Sequence, residues 1–454
     1  MKKIKMLLQR TLFYRIYLLF VKYFRKTKKL IRNQINPRYN RYLLKTKYPA
    51  IYKKYSKLPV DEKKVVFVEI RLPKLTNSYK VIYDELYRNY DFDIHCHFLR
   101  NTFVSRKEYR KRCEAFIKDI ATAKYVFMDE ATNIMGKFVT REETVITQLW
   151  HGCGAFKKFG FSTADAIFGA TREQMIKFPF NRNYTHVTVS SPEVIWAYEE
   201  AMNYTHESGV VKALGSSRTD IFYDKDFIEE AYSNFYELMP QAKGKKVILY
   251  APTFRGRVAK ATSPKRLNIE LLKYALGDEY VLVTKHHPLV RKLPNIPENC
   301  IDFAQDMTTD LSIEELLCVS DICISDYSSL VFEYSLFERP LIFLAHDLET
   351  FFDWRGFYYD YFELAPGPVV KNTCEILSYI KEIEEKGFDK SQVVKFRERF
   401  MSSCDGHATE KILKTAMTEE AREAYKKKEP LPKEKYHLIP SADDFDGEKY
   451  SFEK

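Results

Sequence analysis

At 454 residues the chain exceeds the length at which one core usually stops growing, and 45% hydrophobic with 15% aromatic residues supplies material for two domains. Its formal charge of +11 is concentrated: residues 1–60 carry 18 Lys and Arg and no acid, and setting these aside from the 73 basic residues leaves 55 against 62 acidic ones. A mildly acidic body with one basic end excludes a globally basic nucleic-acid binder, and eight cysteines without a C-x-x-C pair exclude a disulfide scaffold and read as reduced cytosolic thiols.

The basic end, residues 1–60, combines Lys and Arg with Leu, Phe, Tyr and Ile. Wound as a helix, it places Arg15, Lys22, Lys26 and Lys29 on one side and Phe13, Ile16, Phe20 and Phe24 on the other. Its longest apolar run, Ile16 to Val21, is far below the ~20 residues that cross a bilayer. The run is bounded by Arg15 and Lys22 and lacks a small-residue cleavage site, so a signal peptide is not indicated. The expectation is a helix lying on an anionic membrane surface; the alternative is a basic face that is merely solvated.

From Lys63 onward short apolar runs alternate with charged, helix-favouring stretches such as Tyr79 to Asn89. Val65 to Ile70, Ile94 to Leu99, Tyr125 to Met128, Val145 to Trp150 and Val187 to Ser190 form one series of predicted strands. Val247 to Tyr250, Tyr280 to Thr284, Ile322 to Ile324 and Leu341 to Leu344 form a second, with Ile313 to Val319 among its helices. Such alternation predicts an α/β fold of two Rossmann-like domains facing a cleft, residues 61–210 and 211–417, with a charged tail over 418–454 read as a final helix and a poorly ordered end. His95-Cys96-His97 resembles a ligand cluster, but on a strand the two histidines face away from the cysteine and nothing nearby completes a metal shell.

Ligands in such sheets bind beyond the carboxyl ends of the strands. After Val145 to Trp150 comes His151-Gly152-Cys153-Gly154, where the glycines let backbone approach a ligand and the imidazole suits a general base; a hydrogen-bonded structural histidine is the alternative. After Val247 to Tyr250 comes Arg255, whose planar fork matches phosphate. Lys285-His286-His287-Pro288 ends the next strand. Ile322 to Glu333 reads as strand, tight turn and helix start, with Ser328 and Ser329 where unpaired N–H groups attract an anion, or as plain N-caps. Asp353 to Asp360 adds Arg355 in a Gly-containing loop. Phosphate-compatible groups after three strands of one sheet point to a nucleotide diphosphate. None of the Asp-x-Asp triplets, at Asp91, Asp224 and Asp444, follows a strand, so no metal or other cofactor is expected, and neither a G-x-x-x-x-G-K loop nor G-x-G-x-x-G is present.

Together Gln148-Leu149-Trp150-His151-Gly152 with Lys157-Lys158-Phe159-Gly160, Tyr250 to Arg255, His287-Pro288, Ser325-Asp326-Tyr327-Ser328-Ser329 and Arg355 to Asp360 resemble the CDP-glycerol glycerophosphotransferase family of teichoic-acid and capsule synthesis. Gly215 to Asp220 and Asp405-Gly406-His407 match weaker positions. The resemblance implies a glycosyltransferase-B-type fold held peripherally on the cytoplasmic face of the bacterial cell membrane. It implies transfer of glycerol phosphate, or a related polyol phosphate, from CDP-glycerol or another CDP-polyol to a polyprenyl-linked acceptor, with release of CMP. His151 and His287 would be the catalytic pair, with Trp150, Gly152, Lys157, Arg255, His286, Asp326, Ser328, Ser329, Glu333 and Arg355 binding substrate. Many members carry Thr-Pro where this chain has Cys153-Gly154, and Asp where it has Glu333. The competing reading is a nucleotide-sugar glycosyltransferase of the same fold.

Overall fold

Two six-stranded sheets, every pairing parallel, make up the computed structural model, which describes residues 38–100, 104–166, 169–256 and 260–432, the side chains of 352–355 excepted. The first runs in the order β2-β1-β3-β4-β5-β6. Its strands are β1 (Asp61–Glu69), β2 (Asp93–Phe98), β3 (Ala123–Met128), β4 (Val145–Gln148), β5 (His186–Thr188) and β6 (Val211–Lys212). The second, in the order β12-β11-β10-β7-β8-β9, contains β7 (Lys246–Tyr250), β8 (Tyr280–Thr284), β9 (Ala304–Asp306), β10 (Ile322–Ser325), β11 (Leu341–Leu344) and β12 (Val369–Val370). Helices cover both faces, so central strands are buried on both sides and read as unbroken apolar runs; every residue of β8 is buried. β4 stops earlier than its apolar run because Trp150 turns to φ 57°. The short strands β6, β9 and β12 carry too little pattern to be read in advance.

Most of the basic end expected to lie on a membrane, residues 1–37, falls outside the described residues. Its remainder is not separate from the first domain: Leu43, Tyr48 and Tyr52 are buried in that domain's core, and Tyr52 stacks on Phe138 at 4.3 Å. Among the described residues no helix is long and apolar enough to cross a membrane.

The chain leaves the first sheet after β6 and passes through the turn Ser217–Tyr223 into the helix Lys225–Leu238, which packs on Ile313–Val319 of the second domain. It returns through Phe400 to His407, where the Ser403 N–H donates to the Ser190 carbonyl at 3.0 Å. The helix Ala408–Ala416 then packs Ile412, Leu413 and Ala416 with Val65, Phe67, Leu86 and Phe127. The last part of the unit expected over 211–417 is thus built into the first domain, because its apolar face completes that core. The charged stretch beyond Glu419–Ala424 also docks there: Lys427 N–H donates to Asn89 at 2.9 Å and Leu431 N–H to Arg88 at 3.0 Å. Residues 433–454 of the expected tail lie outside the described residues.

On the edge strand β2, His95 Nδ1 and His97 Nε2 meet one oxygen of Asp119 at 2.6 and 2.8 Å, while Lys64 Nζ lies 3.2 Å from the other. This cluster is a buried ion pair network; no group of three or more His, Cys, Asp or Glu among the described residues is arranged to hold a metal. Burial would raise the Asp119 carboxyl, but hydrogen bonds from His95 and His97 outweigh it and hold the group well below the usual carboxylate range. A depressed native value adds stability above the unfolded value of about 3.9 and loses it as pH falls below that. Asp119→Ala is expected to cost on the order of 3 kcal/mol at neutral pH, with the gap to the parent closing in acid, as read from urea denaturation at several pH values.

Candidate active site

The carboxyl ends of the two sheets converge around the segment after β4. The Trp150 N–H donates to the Gln148 side-chain carbonyl at 3.0 Å, and the indole packs between His151 at 4.5 Å and Phe159 at 4.9 Å, which fixes the imidazole's direction. His151 Nδ1 lies 3.1 Å from the Asp129 carbonyl oxygen, which can only accept. The ring proton therefore sits on Nδ1 and leaves Nε2 as the basic nitrogen. Burial lowers the imidazole's affinity for a second proton, against the pull of Asp129, so the base form is present at neutral pH. Despite its neighbours, 40% of the His151 side chain remains accessible.

A Cβ on Gly152 would stand 3.1 Å from Ser329 Oγ, which places the backbone beside His151 directly against the second domain's serine turn. Gly154 has φ +64° and a Cβ there would meet the Phe332 ring at 2.4 Å, so only glycine allows this approach. Farther along, Tyr358 N–H donates to Phe156 at 3.1 Å and Lys158 N–H to Gly356 at 3.2 Å, with Lys157 bridging Phe357. Two stretches far apart in sequence, 156–160 and 356–360, thus form one seam. Lys157 Nζ lies 6.0 Å from the centre of the Phe351 ring. Arg355 ends the helix Leu348–Arg355, and the role expected of its side chain lies outside the described residues.

Ser328 and Ser329 lead into an α-helical run of only Leu330–Tyr334, so the dipole expected there is small. Ser329 makes no capping bond, and Ser328 Oγ receives only a 3.5 Å contact from Leu330 N–H. Of these two half-buried hydroxyls, only that of Ser328 makes a contact of the N-cap kind, and a long one. His287 is exposed and packs on Phe254 at 4.9 Å; because Leu289 N–H donates to its Nδ1 at 3.1 Å, a neutral ring carries its proton on Nε2 and acts as a donor. The two histidines are accordingly set as opposites, His151 to accept at Nε2 and His287 to donate there.

Four expected substrate ligands have other partners. Arg255 grips Asp347 at 2.6 and 2.9 Å and Asp326 at 2.9 Å, lying over Tyr327 and Phe351. Its fork suits carboxylates as well as phosphate, and two carboxylates already neutralise it. Asp326 is buried and accepts from Thr253 N–H at 2.8 Å and Tyr327 N–H at 2.6 Å, so this pair fastens the loops after β7 and β10. His286 is buried between Ser263 Oγ at 2.8 Å and Asp306 at 3.3 Å. Glu333 is buried too and meets Arg218 Nε at 2.8 Å, with burial pushing its carboxyl up to about 7 and Arg218 opposing.

Arg218 is the main residue missed. Its Nη2 reaches Glu314 at 2.6 Å, its Nε reaches Glu333, and its Nη1 donates to the His151 carbonyl, joining both domains at that residue. Gly215 to Asp220 was legible only as a weak motif, although it comes directly after β6. Also missed were Glu69, Asp129 and Glu130, acids at the carboxyl ends of β1 and β3 whose position was the available signal. Burial, with Asp129 beside it, raises the Glu69 carboxyl to about 8, while Thr76 and Tyr79 hydroxyls hold Asp129 at 2.5 and 2.8 Å.

The family described as CDP-Glycerol:Poly(glycerophosphate) glycerophosphotransferase matches residues 50–418. The chain belongs to this family. Among its relatives, the teichoic acid poly(ribitol-phosphate) polymerase of Bacillus spizizenii is 36% identical over 80% of this chain, which spans 57% of that protein's length. The same organism's teichoic acid ribitol-phosphate primase is 33% identical over 82% of this chain and 95% of its own length. In fold the chain is similar to the wall teichoic acid polymerase TagF, with a TM-score of 0.68 at 21% identity over 89% of this chain and 99% of that one. Of the family motifs quoted from the sequence, Trp150 to Gly160, Ser328-Ser329 and Gly356 to Tyr358 meet at the junction between the sheets.

Proposed function

We propose that the chain transfers a polyol phosphate from a CDP-polyol to the hydroxyl of a lipid-linked acceptor in teichoic acid or capsule synthesis. The observation that carries this reading is His151, proton on Nδ1 and Nε2 basic, on a backbone packed against the Ser328–Ser329 turn. His151 Nε2 takes the proton of the acceptor hydroxyl, whose oxygen attacks the β-phosphorus of the donor; the bond to the α-phosphate oxygen breaks and CMP leaves. The Ser328 and Ser329 hydroxyls and His287 Nε2–H donate to the diphosphate as charge moves onto it. Arg255 holds the loops that present these donors. The basic end of the chain would keep the enzyme at the cytoplasmic membrane face, where a polyprenyl-linked acceptor resides.

Relatives named for ribitol phosphate match at 36, 33, 31 and 30% identity, and relatives named for glycerol phosphate at 27 to 30%; this supports a reading in which CDP-ribitol is tried ahead of CDP-glycerol as donor. Full-length protein incubated with prenyl-linked acceptor and CDP-ribitol, CDP-glycerol or a UDP-sugar is expected to release CMP, fastest from CDP-ribitol. Release of UDP from the sugar nucleotide, with none of CMP from either CDP-polyol, overturns the proposal. Sizing the product distinguishes single addition from polymerisation.

A further inference from the structure

Glu130 lies just beyond β3, next to Asp129, whose carbonyl orients His151. Its Oε1 is buried, accepts no well-aligned hydrogen bond, and stands 3.3 Å from His151 Nδ1. The guanidinium of Arg71, from the loop after β1, pairs with the same oxygen. While the imidazole is neutral, its Nδ1–H is satisfied by the Asp129 carbonyl at 3.1 Å. Once Nε2 gains a proton, the positive charge spreads over both ring nitrogens, and a carbonyl dipole does not neutralise it. A carboxylate at 3.3 Å does.

The charged groups around the ring come from four directions. Asp129 and Glu130 come after β3, Glu69 and Arg71 belong to the end of β1 and its loop, Arg218 arrives from the turn after β6, and Glu314 and Glu333 of the second domain act through Arg218. Arg71 and Arg218 both disfavour an imidazolium, and the Asp129 charge favours one. The Asp129 carboxylate is engaged by Thr76 and Tyr79, and Glu69 Oε1 accepts the N–H groups of Arg71 and Leu72 at 2.7 and 2.9 Å. Among the described residues, Glu130 is the carboxylate within ion-pair distance of the His151 ring. Burial raises its carboxyl, and Arg71 draws it back toward the ionised form.

We infer that Glu130 is a positioning residue that holds the His151 imidazolium formed when the acceptor hydroxyl gives up its proton. Glu130 itself takes no proton: the proton moves from the hydroxyl oxygen to His151 Nε2 and remains on the ring. The inference rests on reading His151 as the base. Arg71 then serves as the clamp that keeps Glu130 Oε1 against Nδ1 rather than turned toward solvent.

Two readouts on the full-length protein test it. In nitrogen-15 histidine NMR without substrates, Glu130→Gln is expected to lower the His151 titration midpoint by about one pH unit, and Glu130→Asp by a smaller amount. In CMP-release assays Glu130→Gln is expected to lower kcat by roughly 10- to 100-fold with KM little changed, to move the acid limb of the pH profile lower, and to be partly rescued in Glu130→Asp. An unmoved His151 midpoint in both variants overturns the inference, as does an equal loss of kcat in both with an unmoved pH profile. If Glu130→Gln does not fold, Glu130→Asp decides by the same midpoint. A His151→Ala variant of normal rate would sink the base reading and leave the midpoint measurement standing; an inactive His151→Ala with an unmoved Glu130→Gln midpoint sinks only the role of Glu130.

Discussion

Replacing His151 by alanine is expected to lower CMP release by about 100- to 10,000-fold while changing stability by less than about 1 kcal/mol. The side chain is 40% accessible, so its removal leaves no buried cavity, and its one backbone partner is a carbonyl at the cleft edge. The pH profile carries the sharper signature. Burial lowers the native imidazole value below its ordinary ~6.5, so the rate of the parent should be flat at neutral pH and fall only as acid fills Nε2. In His151→Ala that limb should vanish along with the rate. Near-normal turnover in a correctly folded variant removes His151 from the reaction.

Arg218→Ala should be the most destabilising single substitution at the junction, by about 3–5 kcal/mol. The side chains of Arg218, Glu314 and Glu333 are 13, 6 and 4% accessible, and removing the cation strands two buried carboxylates at once. The loss should grow with pH. Glu333 already has its native value raised to about 7, so its contribution to stability is full below the unfolded value of about 4.3 and disappears as pH rises through 7. Without Arg218 only the Cys153 thiol, 3.9 Å away, favours that ionisation, and the gap between variant and parent should be wider at alkaline than at acid pH. Arg218→Lys supplies a charge but cannot bond Glu314, Glu333 and the His151 carbonyl together, so partial recovery is expected. Urea denaturation across pH measures all of this; a loss below about 1 kcal/mol for the alanine variant would show the pair to be a surface-like interaction.

Much of this architecture was readable from the chain, because parallel strands buried on both faces announce themselves as apolar runs; β8 and β11 fall on the residues predicted. The turns after β4 and β10 were legible as well, since glycines and serines at strand ends have few reasons to be there. Pairing partners were not. Arg255 and Asp326 each look like a ligand on paper, and only the folded chain brings them together with Asp347. Glu333 is one turn from Ser329 but meets Arg218, because the turn after β6, more than a hundred positions earlier, occupies the space beside it. Arg218 lies in a motif that the sequence shows only weakly, and Glu130 at a strand end that it marks only by position; in neither case does the sequence tell which groups the side chain meets.

The position of the helix Ala408–Ala416 also sets an order of events during synthesis. Ile412, Leu413 and Ala416 fill the core beneath β1 and β3, yet they are made after every strand of both sheets. The second sheet's core is filled once the helix Thr373–Lys386 has followed β12, whereas the first, covered in part by the helix Asn77–Asn89, lacks its last apolar side chains until residues 408–416 have been made. The domain that is translated first is therefore the one completed last, and the gap that Ile412, Leu413 and Ala416 later fill is where a chaperone would find it.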